Sequence, residues 1–334
     1  MNRKLAIESR KLIKQLGWTL LGLLALGAST ASGAQPYPVK PLRMIIPFSP
    51  GGGNDIIGRL ASKELTERLG QQVVVENRPG AGGSIGAEAA AKATPDGYTL
   101  LLGHMGTLAL NPTLRPNLAY DPIKDFQPVS LIAKSPNILV VNPSLPVKSA
   151  KDLIDLAKKK PGAVTYGSAG VGSSGHVTAE YFRQLAHINI LHIPYKGTGP
   201  ALVDLMGGQI SMVFAGAAGI APLVQSGQLR AIGVSTLTRL PMFPDVPTIS
   251  ESGLPGFEVT QWFGVVVPTG VPRPIVMKLH DVLQNALQSA NMRASLSAFA
   301  ATPVGNTPEQ FRALIKSEIS RWAATLKAAN IKPR

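Results

Sequence analysis

Short runs of apolar, often β-branched residues alternate along the chain with longer stretches that repeat apolar residues at helical spacing. The stretch DIIGRLASKELTERLG, for example, carries apolar residues three and four positions apart, as one face of an amphipathic helix does. This alternation predicts an α/β fold in which parallel strands are covered by helices on both faces. The predicted strands cover residues 42–48, 72–77, 98–103, 138–142, 164–168, 188–195, 210–216 and 229–235.

Two extended stretches, residues 126–144 and 257–270, are not followed directly by a helical pattern. Each is long enough to pass from one domain to another. We therefore expect one domain made of residues 35–137 and 262–334, a second made of residues 138–261, and a cleft between them. The length of 334 residues agrees with two domains, since one core rarely serves more than about 250–300 residues.

The C-terminal part of the chain has helical patterning with recognisable start signals. Pro274 is predicted at the first position of one helix, where its missing N–H costs nothing. Thr307 and Gln310 have the spacing of a capping box, in which each side chain bonds to the backbone N–H of the other residue. The sequence therefore predicts one helix from about residue 274 and another from about residue 308.

The N-terminus has the three parts of a secretory signal peptide. Five basic residues precede the apolar run 16–28, and Ser32 and Ala34 stand at the −3 and −1 positions of a cleavage site. The apolar run has 13 residues, fewer than the ~20 that span a bilayer, so we expect cleavage after Ala34. The chain has no cysteine for a lipid anchor or a disulfide. These features predict a protein of the Gram-negative periplasm.

The formal net charge is +14, and the predicted signal segment carries a net four of these charges. The remaining basic residues are scattered rather than clustered, so no nucleic-acid partner is predicted. The one run, Lys158–Lys160, is expected at a helix end, where cations meet the negative end of the helix dipole. A basic exported protein favours anionic small ligands through long-range attraction.

Four strand-to-loop transitions are rich in glycine and other small residues. In an open α/β sheet such loops gather at the carboxyl ends of the strands, where ligands bind. The N–H groups at the start of each following helix would favour an anion. The four loops, named first to fourth in chain order, lie within residues 47–59, 101–112, 167–176 and 194–206.

The third loop, GSAGVGSSGH, contains the spacing G-x-G-x-x-G at Gly170, Gly172 and Gly175. A dinucleotide-binding loop also needs an acidic residue about 20 positions further on, to hold a ribose hydroxyl. Residues 188–197 contain no acid, and no G-x-x-x-x-G-K-[ST] phosphate loop occurs in the chain. We therefore expect no nucleotide cofactor.

Ser173, Ser174 and His176 lie close enough in sequence to suggest a catalytic pair. This stretch does not have the G-x-S-x-G spacing of a nucleophile elbow, however. In the simpler interpretation one serine caps a helix and His176 lies on its first turn. Both a ligand-binding role and a secreted Ser/His hydrolase remain open at this stage. Metal binding is not expected, since His187 and His192 would face opposite sides of a predicted strand.

A few single residues also have two interpretations. Asp55, at the start of the first helix, either stabilises the helix end or accepts a hydrogen bond from a ligand. Tyr195 and Lys196 end a strand at the expected cleft, and Lys196, a cation in the fourth glycine loop, is a candidate for steering a charged ligand. Trp262 and Phe263, in the second extended stretch, belong either to the core or to the cleft wall.

Several longer motifs carry a family resemblance. The stretches PFSPGGGNDIIGR, VVVENRPGAGG, PDGYTLLLG, PYKGTGPALVDLMGGQI and PDVPTISESGLPGFEV closely resemble the Bug family of periplasmic solute-binding proteins. The likeness runs in order from about residue 36 to the C-terminus. It implies a two-domain Venus-flytrap fold of the type II periplasmic binding proteins, with no catalysis and no cofactor. It also implies a small carboxylate ligand, such as a dicarboxylate, a tricarboxylate or an acidic amino acid.

Carried over by position, the resemblance implies ligand-binding residues in the four glycine loops and in a fifth loop after the strand ISMVFAG. His104 and Met105 occupy a variable loop, so they are expected to tune ligand choice. The implied residues are Phe48, Ser49, Gly51, Gly52, Gly53, Asp55, Gly103, His104, Met105, Gly106, Thr107, Ser168, Ala169, Gly172, Ser173, Ser174, Tyr195, Lys196, Gly197, Ala215, Gly216 and Ala217.

The resemblance also implies a partner at the membrane. Family members deliver their ligand to the membrane subunits of tripartite tricarboxylate transporters, and we expect a monomer that does so. A solute sensor that docks to a signalling receptor would have the same fold and the same cleft, so this alternative stays open beside transport and the hydrolase.

Overall fold

The computed structural model describes residues 37–328 and residue 331. The predicted signal peptide, residues 1–34, lies outside the described residues. The strands are β1 Leu42–Ile46, β2 Val73–Asn77, β3 Thr99–His104, β4 Phe126–Val141, β5 Thr165–Ser168, β6 Leu191–Pro194, β7 Met212–Gly216, β8 Arg230–Val234, β9 Thr260–Pro268 and β10 Thr302–Pro303. The α-helices are α1 Gly53–Leu69, α2 Ser84–Ala91, α3 Asn111–Leu114, α4 Ala150–Lys159, α5 Ser174–Ala186, α6 Thr198–Met206, α7 Ala217–Gln225, α8 Arg273–Gln288, α9 Ala290–Ser297 and α10 Pro308–Ala328.

These strands form one mixed sheet in the order β2-β1-β3-β9-β4-β7-β5-β6, with β8 and β10 also paired to β4. The prediction of parallel pairing is right for β1 with β2 and β3, and for β5 with β6 and β7. It is wrong for β4 and β9, which run antiparallel to each other and to their other neighbours. The chain runs along β4 and returns along β9, so antiparallel pairing follows from the path.

Strand β4 changes partners along its length. Its first part, up to Pro136, pairs with β9, and its last part, from Asn137, lies between β7 and β8. The two extended stretches of the sequence analysis correspond to β4 and β9. The predicted strand 188–195 is shorter in the structure, because His187 ends α5 in a left-handed conformation with φ of 50°. His187 therefore does not flank the strand as predicted.

Local signals of the sequence explain several helix ends. The capping box is confirmed: the Thr307 N–H donates to Gln310 Oε1 at 3.0 Å, and the Gln310 N–H donates to Thr307 Oγ1 at 3.2 Å. Pro274 occupies the first turn of α8, one position later than predicted. The run Lys158–Lys160 ends α4 as expected, with two of its lysines in the last helical turn.

The aromatic pair of β9 is buried. Trp262 packs edge-on against Phe311 with ring centres 5.7 Å apart, and its indole N–H donates to Glu318 at 3.0 Å. Phe263 is also buried, with its ring 5.3 Å from that of His104. The core interpretation is thus confirmed for Trp262, whereas Phe263 packs directly behind a residue of the second loop.

The fold gathers the glycine loops at one side of the sheet. The loops after β1, β5 and β6 lead from the carboxyl end of a strand into α1, α5 and α6, and β7 leads directly into α7. A short π-helical turn, residues 106–110, follows β3. Across the described part of the chain, no helix combines the length and the apolarity that crossing a membrane requires.

Candidate functional site

A cavity lies where these loops meet. Its volume of about 20 Å³ leaves room for about one water molecule. The lining is neutral, since no Asp, Glu, Lys or Arg belongs to it among the described residues. The lining residues are Phe48, Gly53, Asn54, His104, Ala169, Ser173, Ser174, Gly175, Thr198, Phe214, Ala215, Gly216 and Gln261.

Four helices begin at this cavity. The caps of α1 and α6 are Gly52 and Gly197, and those of α5 and α7 are Ser173 and Gly216. The first N–H groups of a helix have no partner within the helix, and the helix dipole adds a partial positive charge at this end. A neutral cavity at four such ends therefore attracts anions without any formally charged side chain.

Asp55 belongs to the support of the first loop rather than to the cavity lining. Its buried carboxylate accepts hydrogen bonds from the Gly51 N–H at 3.2 Å and from Asn77 Nδ2 at 2.9 Å. The Arg59 guanidinium lies at 3.0 Å. Burial alone would raise the pKa of Asp55, but the bonds from Arg59, Asn77 and Gly51 outweigh it and lower the pKa. All three partners belong to the protein itself. The carboxylate oxygens of Asp55, which were one candidate acceptor for a ligand, therefore already have partners within the protein.

The neighbouring residue, Asn54, does face the cavity. It is 7% exposed, and its Oδ1 makes no hydrogen bond to any residue that the structure describes. Buried polar atoms without a partner are rare, and each calls for an explanation. The side-chain amide of Asn54 is thus available to a ligand, with a donor and an acceptor.

His104 lies at the centre of a buried polar arrangement. Its Nδ1 accepts the Gly106 N–H at 2.9 Å, and its Nε2 lies 2.8 Å from Gln261 Oε1. Burial lowers the pKa of His104 to about 4 and outweighs the opposing effect of the Gln261 bond. The imidazole is therefore neutral at the pH of ordinary solutions and adds no charge to the cavity. Met105, its neighbour, is fully buried in the core and does not line the cavity.

The third loop is ordered by hydroxyl groups. The Ser173 side chain accepts the His176 N–H at 3.4 Å and caps α5, which confirms the capping interpretation. Ser168 Oγ accepts the Gly170 N–H at 3.1 Å and lies 2.6 Å from His192 Nε2. Ser173 reaches the cavity, whereas Ser168 lies behind the loop and holds its shape.

The fourth loop contributes its backbone more than its side chains. The Tyr195 hydroxyl donates to Asp204 Oδ2 at 2.6 Å, and burial together with the Asp204 charge raises the pKa of Tyr195 to about 12. The Lys196 side chain is exposed, and its carbonyl accepts from the Ser49 hydroxyl at 3.1 Å. Lys196 is therefore placed to attract a ligand from solvent, not to touch one in the cavity.

The loops touch one another so closely that only glycine fits at several positions. A side-chain carbon at Gly172 would lie 2.1 Å from Asn111 Oδ1, and one at Gly82 would lie 2.1 Å from the Val171 carbonyl oxygen. One at Gly199 would lie 2.4 Å from the carbonyl of Pro50. Segments before residue 137 thus contact segments after it at these three positions.

Of the residues that the resemblance implied, eight line the cavity: Phe48, Gly53, His104, Ala169, Ser173, Ser174, Ala215 and Gly216. The others support the loops or lie outside the lining: Ser49, Gly51, Gly52, Asp55, Gly103, Met105, Gly106, Thr107, Ser168, Gly172, Tyr195, Lys196, Gly197 and Ala217.

Five lining residues are not among the ligand-binding residues that the resemblance implied: Asn54, Gly175, Thr198, Phe214 and Gln261. Four of them stand inside the quoted loops or strands, one position from an implied residue. Gln261 is different, and its signal is a single amide side chain within the apolar run of β9. Among the described residues, no group of three His, Asp or Glu side chains is arranged to hold a metal ion.

Comparison with solved structures identifies the fold class of the protein. Over 89% of this chain and all of the other, the structure matches the periplasmic binding protein BugD, with a TM-score of 0.87 and 35% identity. An R. palustris protein solved with adipate matches with the same coverage, a TM-score of 0.87 and 37% identity. The fold is therefore the two-domain α/β fold of periplasmic binding proteins.

The sequence comparisons define the family. Residues 57–331 match the model of the tripartite tricarboxylate transporter family receptor. Protein BugT of Bordetella pertussis is 40% identical over 319 residues, which cover 94% of this chain and 98% of BugT. The chain belongs to this receptor family, as the Bug resemblance implied, and its members are solute-binding proteins of transporters.

Proposed function

We propose that this protein captures a small carboxylate in the described cavity and delivers it to the membrane subunits of a tripartite tricarboxylate transporter. The observation that carries the proposal is the convergence of four helix N-termini on a buried cavity without charged side chains. Such a site stabilises an anion through N–H donors. The relative solved with adipate supports a carboxylate as that anion.

The binding energy of such a site is sufficient. Micromolar affinity corresponds to about −8.2 kcal/mol. Hydrogen bonds to a charged group contribute roughly 1.5–3 kcal/mol each. Helix N–H groups, the hydroxyls of Ser173 and Thr198, and the amides of Asn54 and Gln261 supply more than four such donors.

Ligand entry requires opening, because a cavity of about 20 Å³ cannot hold even a four-carbon acid. The proposed moving bodies are residues 35–137 with 262–334, and residues 138–261. Their proposed hinges are β4 and β9, where β4 exchanges one strand partner for two others at Pro136 and Asn137. A ligand that touches loops of both bodies would favour the closed state over the open one.

Export to the periplasm and the absence of catalysis belong to the same proposal. Residues 1–34 are proposed as a signal peptide cleaved after Ala34, and mass spectrometry of the mature protein would locate the cleavage. Ser173 acts in the proposal as a helix cap and ligand donor. Release of product from generic esters, lost in a Ser173→Ala or Ser174→Ala variant, would contradict this role and favour the hydrolase.

A thermal-shift screen tests the ligand class. The panel holds succinate, malate, adipate, citrate, aspartate and benzoate, each with its neutral amide or ester as a control. A ligand at 100 times its dissociation constant stabilises the folded protein by about 2.7 kcal/mol. We expect at least one carboxylate to raise the melting temperature and its neutral analogue to leave it unchanged. No shift with any carboxylate, and none co-purified in native mass spectrometry, would contradict the proposal.

The membrane partner is tested separately. A pull-down with the ligand-loaded protein on a membrane extract of the source cell should retain transporter membrane subunits. Retention of a sensor kinase instead would replace transport by signalling and leave the carboxylate site unaffected.

A further inference from the structure

A continuous chain of side-chain hydrogen bonds crosses the fold behind the cavity. The Gly106 N–H bonds to His104 Nδ1, and His104 Nε2 to Gln261 Oε1. Gln261 Nε2 then donates to Asn137 Oδ1, and Asn137 Nδ2 donates to Ser174 Oγ at 3.3 Å. We call these five residues the polar chain. It joins the turn after β3, strands β9 and β4, and the first residue of α5.

The first member of the polar chain, the Gly106 N–H, determines which group donates and which accepts in each following bond. A backbone N–H can only donate, so His104 Nδ1 must accept, and the neutral ring carries its hydrogen on Nε2. That hydrogen requires the oxygen of Gln261 to face it, which turns the Gln261 nitrogen toward Asn137. The nitrogen of Asn137 is in turn directed at α5, where it also donates to Thr178 Oγ1 at 3.0 Å. Each amide orientation thus follows from the one before it.

The last member of the polar chain, Ser174, lines the cavity, so the direction of its hydroxyl hydrogen affects the ligand. Ser174 Oγ accepts from Asn137, so the single hydroxyl hydrogen of Ser174 has to point elsewhere. Ser174 is 2% exposed and lines the cavity, and its hydroxyl donates to no acceptor in the described part of the chain. The polar chain therefore leaves one hydrogen-bond donor directed at the ligand space.

We infer that Gln261 and Asn137 are specificity-determining residues: they orient Ser174 as a donor, so that the site selects an ionised carboxylate oxygen over a donor group at that place. This inference rests on the proposed function. Gln261 lines the cavity and also acts through Asn137, which is buried behind it, so Asn137 is a positioning residue.

An isosteric substitution reverses the polar chain. In a Gln261→Glu variant the carboxylate still accepts from His104 but has no hydrogen for Asn137. The Asn137 amide then turns its nitrogen to residue 261 and its oxygen to Ser174. The Ser174 hydroxyl donates to that oxygen, and a lone pair faces the cavity in place of the hydrogen. The variant should bind the carboxylate more weakly than the wild type does.

The added charge of Gln261→Glu also repels an anion, so a mutant cycle separates charge from orientation. The four proteins are the wild type, Ser174→Ala, Gln261→Glu and the double variant, titrated calorimetrically with adipate, succinate and malate. Losing a hydrogen bond to a charged group should weaken wild-type binding by about tenfold or more. In the Gln261→Glu background, where Ser174 no longer donates, the same Ser174→Ala change should cost nothing.

Equal losses in both backgrounds would overturn the inference, since charge alone gives additive effects. Asn54→Asp is the matched control, because it places a carboxylate in the lining outside the polar chain. In the Asn54→Asp background, Ser174→Ala should weaken binding by the same factor as it does in the wild type. Melting temperatures of all variants report whether they fold.

A second measurement needs no ligand. ¹⁵N chemical shifts of the unliganded protein distinguish the two neutral tautomers of His104. We expect the hydrogen on Nε2 and an unprotonated Nδ1, and the opposite tautomer would overturn the direction of the polar chain. If the wild type binds no acid of the thermal-shift panel, the proposed function fails, while this measurement still decides on the polar chain.

Discussion

The first and third glycine loops both lead into a helix at the cavity, yet they are held in different ways. The first is held mainly from within its own part of the chain, where Asn77 donates to the Phe48 carbonyl at 2.9 Å and to the Asp55 carboxylate, with one further bond from the Ser49 hydroxyl to the Lys196 carbonyl. The third is held partly from outside, because Arg115, from the part of the chain before residue 137, donates from Nη2 to the Val171 carbonyl at 2.8 Å. Changes around the first loop should therefore alter stability, and changes around the third should alter ligand affinity.

The largest effect is expected where the third loop meets the facing segment. Gly172→Ala should weaken carboxylate binding by about 100-fold, because the new carbon would lie 2.1 Å from Asn111 Oδ1 in the closed state. Gly227→Ala is the matched control, since Gly227 has a similar φ of 73° and no neighbour within 4 Å. Both variants bear the strain of alanine at positive φ, so their melting temperatures should fall alike while their affinities, measured by calorimetry, diverge. Equal affinities would mean that this contact is not part of closure.

Asp55→Ala should lower the stability of the protein and leave its ligand affinity unchanged. It removes a buried carboxylate that three groups contact, and we expect a loss of about 2 kcal/mol in the free energy of unfolding. Asp155→Ala removes the same kind of i,i+4 ion pair, with Lys151, at an exposed site, and it should leave the denaturation midpoint unchanged. A fall in affinity with full stability in Asp55→Ala would show that the carboxylate acts on the ligand after all.

Arg115→Met should weaken binding by about tenfold with little change in stability, because the bond to the Val171 carbonyl would be broken in the proposed open state. Arg273→Met, which removes an exposed guanidinium paired with Glu309, is the control and should bind normally. Calorimetric affinities and thermal midpoints test both statements. A stability loss in Arg115→Met that matches its affinity loss would contradict the distinction between the two loops.

The parts of this arrangement that follow local rules were predictable. Glycine at a loop and a hydroxyl at a helix start have the same meaning in any fold, so the loops and a cap at Ser173 or Ser174 were predicted from sequence, and the structure identifies Ser173 as the cap. The glycines could be marked as sites of close approach, but the residues they approach, such as Asn111 for Gly172, depend on chain folding. Asp55 illustrates the limit: its position was right, and only the structure shows that its oxygens turn toward Asn77.

The polar chain could not be predicted from the sequence for a related reason. His104, Asn137 and Gln261 belong to three strands whose alignment includes two register shifts between β4 and β9. A shift of one residue would turn each of these side chains to the other face. Sequence separation of more than 120 residues between Asn137 and Gln261 leaves no local signal for their contact. An isolated amide in an apolar strand marks such a position without naming its partner.

The smallest expected effect concerns the stability contribution of His104, a member of the polar chain behind the cavity. Its pKa is about 4 when folded and about 6.5 when unfolded, so the unfolded chain takes up the proton first as the pH falls. Stability should therefore decrease by about 0.8 kcal/mol between pH 7.5 and pH 6, and continue to fall until the folded state is also protonated near pH 4. His104→Gln lacks this group, and the difference between the two unfolding profiles isolates its contribution. Parallel profiles would mean that His104 is not held neutral, and the direction of the polar chain would lose its basis.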